Sequence, residues 1–506
     1  MHMRLYLKLA LALGSLLIVV VLGLRVFGPV VNAPWRGMLQ QMSLLPAWLE
    51  RAPITGAQVT NQLSVPLGYS VSLFAADVSD ARMLRVTTQG DVLVAMPRDG
   101  KIMLLSVDAD GDGMSDGRRL LLDNLTRPNG IDIWEEYLYV AEEDGVGRVL
   151  FDAQSGTIEG AYERIIDGLP RGGNHWKKTI RFGPDGALYV AIGSSCNVCV
   201  EDDARRGTLL RYTRDGLFLG VFADGLRNSA GFDWAPDTGV LYATDNGRDM
   251  LGDDFPPCEL NAIVEGGFYG WPYVNGNNIF DPDLGNERSA VSLSAIPPVH
   301  EFKPHNAPLG ITFLRRSPEV FGGQTVALVA LHGSWNRSRK DGYKVVSLHF
   351  DEDGMIEEQD FLTGFLVDDT ALGRPAEIAE APDGTIYVSD DLRNAIYRIG
   401  RGSPGVAVSL PVMRASLGYE SDAISQEERD AALASGPPVF ERENCLTCHA
   451  LTEDTESSAG VLQDLRSRYT VDELTEFLSN PRSPMPAYAG DADQRRSLSI
   501  YLLETY

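Results

Sequence analysis

A turn, an alternating strand and a second turn recur through the middle of this chain, from about Gln58 to Gly402. Five copies read TTQGDVLVAMPRDGKI, DIWEEYLYVAEEDGVGRV, RFGPDGALYVAIGS, DWAPDTGVLYATDNG and AEAPDGTIYVSDDLRNAIYRI, and QTVALVALHGSWN is a degenerate sixth. Pro-Asp-Gly sets a tight reversal, and the β-branched and aromatic alternation after it indicates a half-buried strand. One strand position per copy is Leu93, Leu138, Leu188, Leu241, Val326 and Ile386, at spacings of 45, 50, 53, 85 and 60 residues. These periods fit four-stranded blades with one long insertion, so the repeats predict an all-β six-bladed propeller.

The C-terminal segment carries a haem-attachment pattern. In ENCLTCHALTE, Cys445 and Cys448 flank two residues and His449 follows at once, the spacing at which two thiols bind one haem and the imidazole binds its iron. A zinc knuckle is the alternative, but it needs further ligands, and no cysteine or histidine follows this motif. From Ser421 onward Met485 is the sole methionine and there is no lysine. Met485 is therefore predicted as the sixth ligand of a covalent haem c.

The first residues predict a membrane anchor. The uncharged run LALALGSLLIVVVLGL from Leu9 to Leu24 follows Arg4 and Lys8 and precedes Arg25. It is slightly short for a spanning helix, but snorkelling basic side chains extend it, and its positive end should stay in the cytoplasm. A cleavable signal peptide ending near VNA is the alternative. Both interpretations export the rest of the chain, so we expect a periplasmic protein held at the inner membrane.

These features divide the sequence into five predicted regions. They are a signal anchor at 1–30, a linker at 31–57, the propeller at 58–402, a linker at 403–438 and a small all-α cytochrome c domain at 439–506. The formal net charge of −26 excludes nucleic acid as a partner, because its phosphates need basic side chains. A basic electron acceptor, such as another cytochrome c, is the natural partner of an acidic haem domain.

The remaining cysteines are interpreted as structural. Cys196 and Cys199 in CNVCV lack a following histidine, so this pair is not a second haem site. In an oxidising compartment the two can form a tight disulfide; two buried thiols are the alternative. Cys258 is expected to be unpaired.

One loop has the character of a calcium site. The segment DADGDGMSDG matches positions 1, 3, 5, 6 and 9 of a calcium-binding loop. The residues at those positions are Asp108, Asp110, Asp112, Gly113 and Asp116. Position 12 is Arg119 instead of glutamate, which removes the bidentate ligand. Structural Ca²⁺ and an acidic hairpin turn are both compatible with this pattern.

Three loops that enter repeat strands carry side chains suited to chemistry. GNHWKKTIRF places His175 in one loop, where it could act as a base near neutral pH; a structural histidine is the alternative. Arg227 and Asn228 in GLRNSAGF, and Arg374 in GRPAEIAEAPDG, occupy equivalent points of later repeats. Two arginines converging on one channel indicate a polyanionic ligand. Between them, carboxylates crowd around Gly247 in TDNGRDMLGDDFPPCELN, where a hard cation could bind.

Six motifs stand out between about Val65 and Gly402: NHWKKTIRFGPDGALYVAIG, GLRNSAGF, CELNAIVEGGFYGWP, HNAPLGITF, HGSWNRSRKDGYKVV and GRPAEIAEAPDGTIYVSDD. In these motifs the chain resembles the soluble pyrroloquinoline quinone (PQQ)-dependent glucose and aldose dehydrogenases, most closely their sorbosone dehydrogenase branch. Together the motifs are specific, whereas each alone is weak. The resemblance covers about two-thirds of the sequence.

The resemblance implies roles for individual residues. A histidine matching His175 takes the proton from the substrate hydroxyl while hydride passes to the quinone, and Arg227 with Ca²⁺ stabilises the charge that develops there. The glucose enzymes have aspartate where this chain has Asn174, and a cofactor-binding lysine with no certain match here, for which Arg337 is the candidate. The implied PQQ ligands are Arg227, Asn228 and Arg374, and the implied Ca²⁺ ligands are backbone carbonyls near Gly247 and Arg248.

The sequence thus predicts a periplasmic quinohaemoprotein that oxidises a sugar or aldehyde. Electrons would pass from PQQ to the protein's own haem c and on to a cytochrome c or a respiratory complex. Two alternatives belong to other classes. One is a Ca²⁺-dependent hydrolase of the lactonase type, and the other is a non-catalytic propeller that docks the haem domain to a partner.

Overall fold

The structure, a computed structural model, describes residues 54–285, 294–316, 324–351, 354–401, 425–442, 465, 471–479, 488 and 490–505. The predicted anchor at 1–30 and nearly all of the linker at 31–57 lie outside these residues. The four residues predicted to hold the haem, Cys445, Cys448, His449 and Met485, also lie outside the described residues. Within the described part of the chain, no helix is long and apolar enough to span a membrane. The chain divides into two compact units, Met1–Val406 and Ala407–Tyr506.

Six sheets, here called blades 1 to 6, form the first unit, and each has four antiparallel strands. The sheet of blade 3 gains a fifth strand, β17 (Gly267–Phe268), which runs parallel to its outer strand. Blade 1 contains β2 (Leu84–Val86), β3 (Val92–Met96), β4 (Lys101–Leu105) and β5 (Arg118–Leu122). Blade 2 contains β6 (Ile131–Trp134), β7 (Tyr137–Glu142), β8 (Gly145–Asp152) and β9 (Thr157–Asp167). Blade 3 contains β10 (Lys178–Phe182), β11 (Leu188–Ile192), β12 (Thr208–Tyr212) and β13 (Phe218–Asp224).

The second half of the ring is built in the same way. Blade 4 contains β14 (Phe232–Trp234), β15 (Leu241–Asp245), β16 (Cys258–Ile263) and β20 (His300–Phe302). Blade 5 contains β21 (Pro308–Phe313), β22 (Thr325–Leu331), β23 (Lys344–Phe350) and β24 (Ile356–Leu362). Blade 6 contains β27 (Pro375–Glu380), β28 (Ile386–Asp390), β29 (Ala395–Arg401) and β1 (Tyr69–Ala75). Blade 6 therefore joins the two ends of the repeat region, because β1 pairs with β29 and closes the ring.

The predicted six-bladed propeller is confirmed, and so is the register of its repeats. All six repeat positions lie on the second strand of a blade, and all six side chains are buried. The six apolar clusters of this unit each join two neighbouring blades, so that Leu93 of blade 1 packs in the same cluster as Leu138 of blade 2. Alternation therefore buries both faces of each sheet against its neighbours.

The long spacing of 85 residues between the fourth and fifth copies corresponds to an insertion in blade 4 between β16 and β20. It contains β17 (Gly267–Phe268), β18 (Val274–Asn275) and β19 (Ile279–Phe280). A smaller hairpin of β25 (Leu366–Val367) and β26 (Thr370–Ala371) precedes blade 6. The short helix α1 (Gly56–Gln62), which has a capping box between Thr55 and Gln58, begins just before the predicted boundary of the propeller.

The described part of the second unit is helical. It contains α2 (Gln426–Arg442), α3 (Val471–Ser479) and α4 (Ala492–Thr505). Their apolar side chains, including Phe440, Leu474 and Leu502, share one buried cluster. Helices α2 and α4 approach closely at Gly436, where an added Cβ would overlap the side chain of Tyr501. The cytochrome c assignment of this unit stays a prediction.

Candidate active site

A cavity of about 230 Å³ lies at one end of the propeller and is called the cavity below. The first strands of neighbouring blades contact one another, for example β2 with β6 and β27, so the loops that lead into them converge. The residues lining the cavity come mainly from those loops and from the loops that follow β15 and β22. They include His175, Arg227, Asn228, Gly247 and Arg374. The structure therefore brings together the loop residues that the sequence singled out.

His175 is fixed in one tautomer by its neighbour across the loop. Its Nδ1 lies 2.8 Å from Ser194 Oγ and 3.1 Å from the Ser194 carbonyl oxygen. The Ser194 hydroxyl donates to the Cys196 carbonyl, so it accepts from His175, and Nδ1 must carry the proton. In the neutral ring Nε2 then holds a lone pair, and this ring lines the cavity. Burial, followed by the charge of Arg227, lowers the pKa of His175 to about 3, so the ring is neutral at pH 7.

Gly193 makes the close approach of His175 and Asn228 possible. A Cβ at this glycine would lie 2.5 Å from the Cβ of His175 and 2.7 Å from the Oδ1 of Asn228. Neither distance is tolerated between nonbonded atoms, so any larger residue would displace one of the two side chains. Glycine is needed here for space, as where a backbone closely approaches other groups.

Arg227 is buried, and its guanidinium is already fully used by the protein. Its Nε and one NH2 proton donate to the main-chain and side-chain oxygens of Asn197, at 2.9 Å each. NH1 donates to the carbonyls of Asn246 and Gly247 at 3.0 Å, and NH2 also reaches Asp249 at 3.3 Å. These contacts account for all five N–H donors of an arginine. Arg227 thus ties the loop after β11 to the loop after β15 and leaves no donor for a ligand.

The opposite pattern holds for Arg374. Its Nε and NH2 donate to the carbonyls of His332 and Gly333, at 3.2 and 3.4 Å, while no hydrogen bond of its NH1 to a described residue is found. His332 contacts Asp391 at 3.0 Å, and Asp391 forms an ion pair with Arg82 at 2.6 Å. Burial, followed by the charge of Arg374, lowers the pKa of His332 to about 3. Arg82, His332 and Arg374 all line the cavity.

The loop around Gly247 offers oxygen atoms to a cation. Asn246, Gly247 and Asp249 line the cavity, and the side-chain Oδ1 of Asn246 is buried without a hydrogen-bond partner among the described residues. Oxygen ligands of this kind suit Ca²⁺. The side chain of Arg248 instead makes ion pairs with Asp281 at 2.7 Å and with Asp283. Only the backbone of Arg248 is therefore available for the predicted role.

Glu259 lies apart from the cavity and close to Asp245. Burial, followed by the charge of Asp245, raises the pKa of Glu259 to about 8. Burial also raises the pKa of Asp245 to about 6, although the backbone N–H groups of Arg227 and Asn228 donate to its carboxylate. The carboxylates that the sequence places around Gly247 are thus spread over separate sites, and Asp249 alone of them lines the cavity.

Arg337 lies outside the residues that line the cavity. Its NH1 donates to the carbonyls of Asp253 and Pro304, and its NH2 is 3.6 Å from Asp254. This arginine holds the acidic loop after β15. Its predicted contact with the cofactor stays a prediction.

The remaining predicted sites lie elsewhere. Cys196 and Cys199 form the predicted disulfide, and Cys258 is free and buried. In the acidic loop, ligand atoms of Asp108, Asp110 and Asp116 lie within 4.8 Å of one another. Asp112 is not in this group, and one of its oxygens accepts from the backbone of Met114. Backbone N–H groups of Gly111 and Gly113 donate to Asp108, as expected for a hairpin turn. Three of the four predicted ligand residues therefore lie together, and Ca²⁺ binding by this loop stays a prediction.

The comparisons with known proteins match this architecture. The family model for glucose/sorbosone dehydrogenases matches residues 133–398, more than half of the chain. The chain belongs to the glucose/sorbosone dehydrogenase family. An uncharacterized protein of Borreliella burgdorferi is 31% identical over 364 residues, which are 68% of this chain and 93% of that protein. The pyrroloquinoline quinone-dependent pyranose dehydrogenase of Coprinopsis cinerea is 21% identical over 332 residues, or 56% of this chain and 44% of that enzyme.

Solved structures give the same fold. The PQQ domain of the Coprinopsis cinerea pyranose dehydrogenase, in its holo form, aligns with a TM-score of 0.57 at 20% identity over 67% of this chain and 97% of that chain. A Trichoderma reesei carbohydrate-active enzyme of family AA12 aligns with a TM-score of 0.58 at 20% identity, covering 68% and 98% of the two chains. The family match begins in β6 and ends in β29, so it includes His175, Arg227 and Arg374.

Several lining residues of this family member were not identified as ligands from the sequence. Arg82 and Glu377 precede or begin first strands, and Trp335 follows β22. The sequence feature that could have identified these residues is their position next to a repeat strand. The same feature identified His175. Lys177 follows His175 by two residues in the segment GNHWKKTIRF, and it too lines the cavity.

The depressed pKa of His175 predicts a pH-dependent cost to stability. An unfolded histidine has a pKa near 6.5, so between pH 6.5 and about 3 the unfolded chain binds a proton that the folded site does not. The contribution of His175 to the free energy of unfolding therefore falls as pH falls below 6.5, by at most about 2 kcal/mol at pH 5.

Comparing the His175→Gln protein with wild type at each pH isolates this effect, since other titrating groups cancel in the difference. Denaturant midpoints of both proteins are measured at pH 7.5 and at pH 5. The variant should be more stable relative to wild type at pH 5 than at pH 7.5. An unchanged difference would show that His175 titrates normally.

Proposed function

We propose that the propeller is a PQQ-dependent dehydrogenase that oxidises a hydroxyl group of a sugar or aldehyde-type substrate. The observation that carries this proposal is the neutral His175, whose unprotonated Nε2 belongs to a ring lining a cavity rich in cations. The relatives named above include a PQQ-dependent sugar dehydrogenase. A base in a site of this charge is suited to a substrate hydroxyl beside a polyanionic cofactor.

The residues of the cavity fit PQQ, which is a tricarboxylate. Arg82, Lys177 and Arg374 line the cavity. Arg82 pairs with Asp391, whereas Lys177 and Arg374 form no ion pair with a described residue. Asn228 adds an amide beside His175. When bound, the quinone supplies the acceptor for the hydride that leaves the substrate carbon.

His175 does the acid–base work in this proposal. Its Nε2 accepts the proton of the substrate hydroxyl, and the Nδ1–H contact with Ser194 keeps the ring in the tautomer that can do so. The low pKa ensures that the base is unprotonated throughout the neutral range. Arg227 acts through position, because it fixes the carbonyls of Asn246 and Gly247 next to the cavity.

A Ca²⁺ ion in the cavity belongs to the same proposal. The buried Oδ1 of Asn246, the carboxylate of Asp249 and the carbonyl of Gly247 are the oxygen atoms that could hold it. The Asp108, Asp110 and Asp116 loop is proposed as a second, structural Ca²⁺ site. Ca²⁺ binding would offset the mutual repulsion of three clustered carboxylates.

We further propose that the electrons leave through haem c in the second unit of this periplasmic, membrane-anchored protein. The support is the sequence alone: the attachment motif at Cys445, Cys448 and His449, Met485 as the other iron ligand, and the apolar N-terminal run. The two electrons of each turnover must leave one at a time, and a tethered haem can accept them locally at a high effective concentration. A basic cytochrome c or a respiratory complex is the proposed next acceptor.

The test is a visible spectrum of the oxidised full-length protein after loading with PQQ and Ca²⁺, followed by aldoses and aldehydes without an external acceptor. A substrate should reduce the haem only in the PQQ-loaded protein. The Met485→Ala variant is the control. Its haem spectrum should change, but the substrate should still reduce an added dye by two electrons per turnover.

Each other outcome points to a different function. Release of acid from a lactone without PQQ and without an electron acceptor would support the hydrolase. Failure of PQQ to bind and of every substrate to reduce the haem, with an intact haem spectrum, would contradict the dehydrogenase and favour a docking propeller.

A further inference from the structure

Lys177 stands out among the cations that line the cavity. It follows His175 by two residues, in the loop that enters β10. Its Nζ lies 4.7 Å from the centre of the Trp176 ring, and it makes no hydrogen bond or ion pair with any described residue. An ammonium group carries three donors and is costly to remove from water without a partner. The guanidinium of Arg127 lies 3.7 Å from the centre of the same ring, so two cations contact this one aromatic side chain.

The adjacent Lys178 shows the contacts of a structural lysine in the same segment. Lys178 is buried, and its Nζ donates to the carbonyl oxygens of Pro170 at 2.8 Å and Trp176 at 2.7 Å. The fold thus satisfies one of two consecutive lysines with backbone carbonyls. It leaves the other facing the cavity without an acceptor.

The other cavity arginines are held by the protein to different degrees. Arg227 has no free donor, whereas Arg82 is paired with Asp391 and Arg374 donates to two carbonyls. Those contacts orient Arg82 and Arg374 but leave donors on each. Lys177 is the lining cation with no orienting polar contact in the described structure, which is the arrangement expected of a group that a bound anion completes.

The charges near Lys177 come from several loops. Arg82 and Arg127 contribute positive charges, and Asp80 and Asp391 contribute negative ones. Asp391 already serves Arg82 and His332, and Asp80 lies beside Arg98. Burial, followed by the charge of Arg82, lowers the pKa of Lys177 to about 7. An anion placed here would be attracted by several charges and would return Lys177 to its protonated form.

We propose that Lys177 binds a carboxylate of PQQ through its ammonium group, together with Arg82 and Arg374. This inference rests on the proposed function, since it assigns a ligand to that cofactor. It gives the lysine role to the residue beside the base instead of to Arg337. His175 and Lys177 then share one loop, so the segment that holds the base also positions the cofactor.

The experiment is a titration of the Ca²⁺-loaded full-length protein with PQQ, followed by quenching of tryptophan fluorescence, which needs no turnover. Lys177→Met should raise Kd about 10- to 100-fold, because a hydrogen bond between charged groups is lost. Lys177→Arg keeps the charge and should recover most of the affinity. Lys303→Met, which removes the same charge from a residue whose side chain is 73% exposed and which does not line the cavity, should bind like wild type.

A pH series separates a direct contact from a structural effect. As pH rises from 7 to 9, the free protein loses the Lys177 proton that the complex needs, so the wild-type Kd should rise, by up to about tenfold per pH unit. The Lys177→Arg protein should show a flatter dependence, because arginine stays charged throughout this range.

The possible results keep this inference distinct from the proposed function. If wild type does not bind PQQ at all, the proposed function fails. If wild type binds PQQ and Lys177→Met binds it equally well, or if Lys177→Arg follows the same pH dependence as wild type, Lys177 is not a cofactor ligand although the dehydrogenase stands.

Discussion

Replacing His175 by alanine should lower kcat for substrate oxidation about 10²- to 10⁴-fold, the usual range for loss of a positioned general base. The PQQ affinity should change only a few-fold, because the cofactor contacts proposed here belong to other side chains. We expect this loss because neither of the other two histidines that line the cavity can replace His175. The Nε2 of His332 contacts Asp391, and the Nε2 of His305 bonds to the Gly252 carbonyl. Stopped-flow reduction of an added dye, or of the proposed haem, measures the effect.

Two controls bracket this result. His300→Ala removes a histidine that pairs with Glu358 outside the cavity and should leave kcat within about twofold of wild type, as surface substitutions usually do. Ser194→Ala removes one of the two acceptors of the His175 Nδ1–H but keeps the Ser194 carbonyl, so its loss of kcat should be smaller. Wild-type kcat in His175→Ala would show that the histidine is structural.

The fold could be read from the sequence because its signal is local and repeated. Each copy combines a turn with a strand of period two, and the repeat positions such as Leu93 and Ile386 all lie on second strands. The insertion after β16 was visible as the one long spacing. What local patterns do not contain is the pairing of β1 with β29, since those strands lie at opposite ends of the repeat region.

The candidate site was only partly predictable. The sequence placed His175, Arg227 and Arg374 on equivalent loops, and equivalent loops of a propeller converge. It could not give the roles of the two arginines. The acceptors of Arg227 come from Asn197 and from the loop at residues 246–249, and contacts between such distant segments leave no short-range signature. Lys177 and Lys178 are likewise adjacent in sequence but differ in whether carbonyl oxygens surround them.

The same limit applies to Arg337, the candidate for the cofactor-binding lysine of the family. The structure places its side chain against the loop of Asp253 and Asp254, outside the residues that line the cavity. The cations that line the cavity come from several loops, and the loop of His175 is one of them. Which basic residue faces a ligand depends on the acceptors around it, because those acceptors decide which donors remain free.

Replacing Arg227 by methionine should be the most destabilising of the substitutions considered. The change leaves partly buried oxygens of Asn197, Asn246, Gly247 and Asp249 without their donor. Removing one partner of a buried charged network typically costs about 3–5 kcal/mol. Because the loops after β11 and β15 would also separate, the affinity of the proposed Ca²⁺ site in the cavity should fall along with stability.

Urea unfolding followed by tryptophan fluorescence measures this effect on the propeller, since no tryptophan follows Trp335 in the sequence. Arg316→Met, at an exposed arginine, is the matched control and should shift the midpoint little. Arg227→Lys keeps a charge but has three donors instead of five, so it should recover only part of the loss. A fully stable Arg227→Met protein with weakened PQQ binding would instead mean that this guanidinium turns from the protein's carbonyls to the cofactor when PQQ binds, and that its role is that of a ligand.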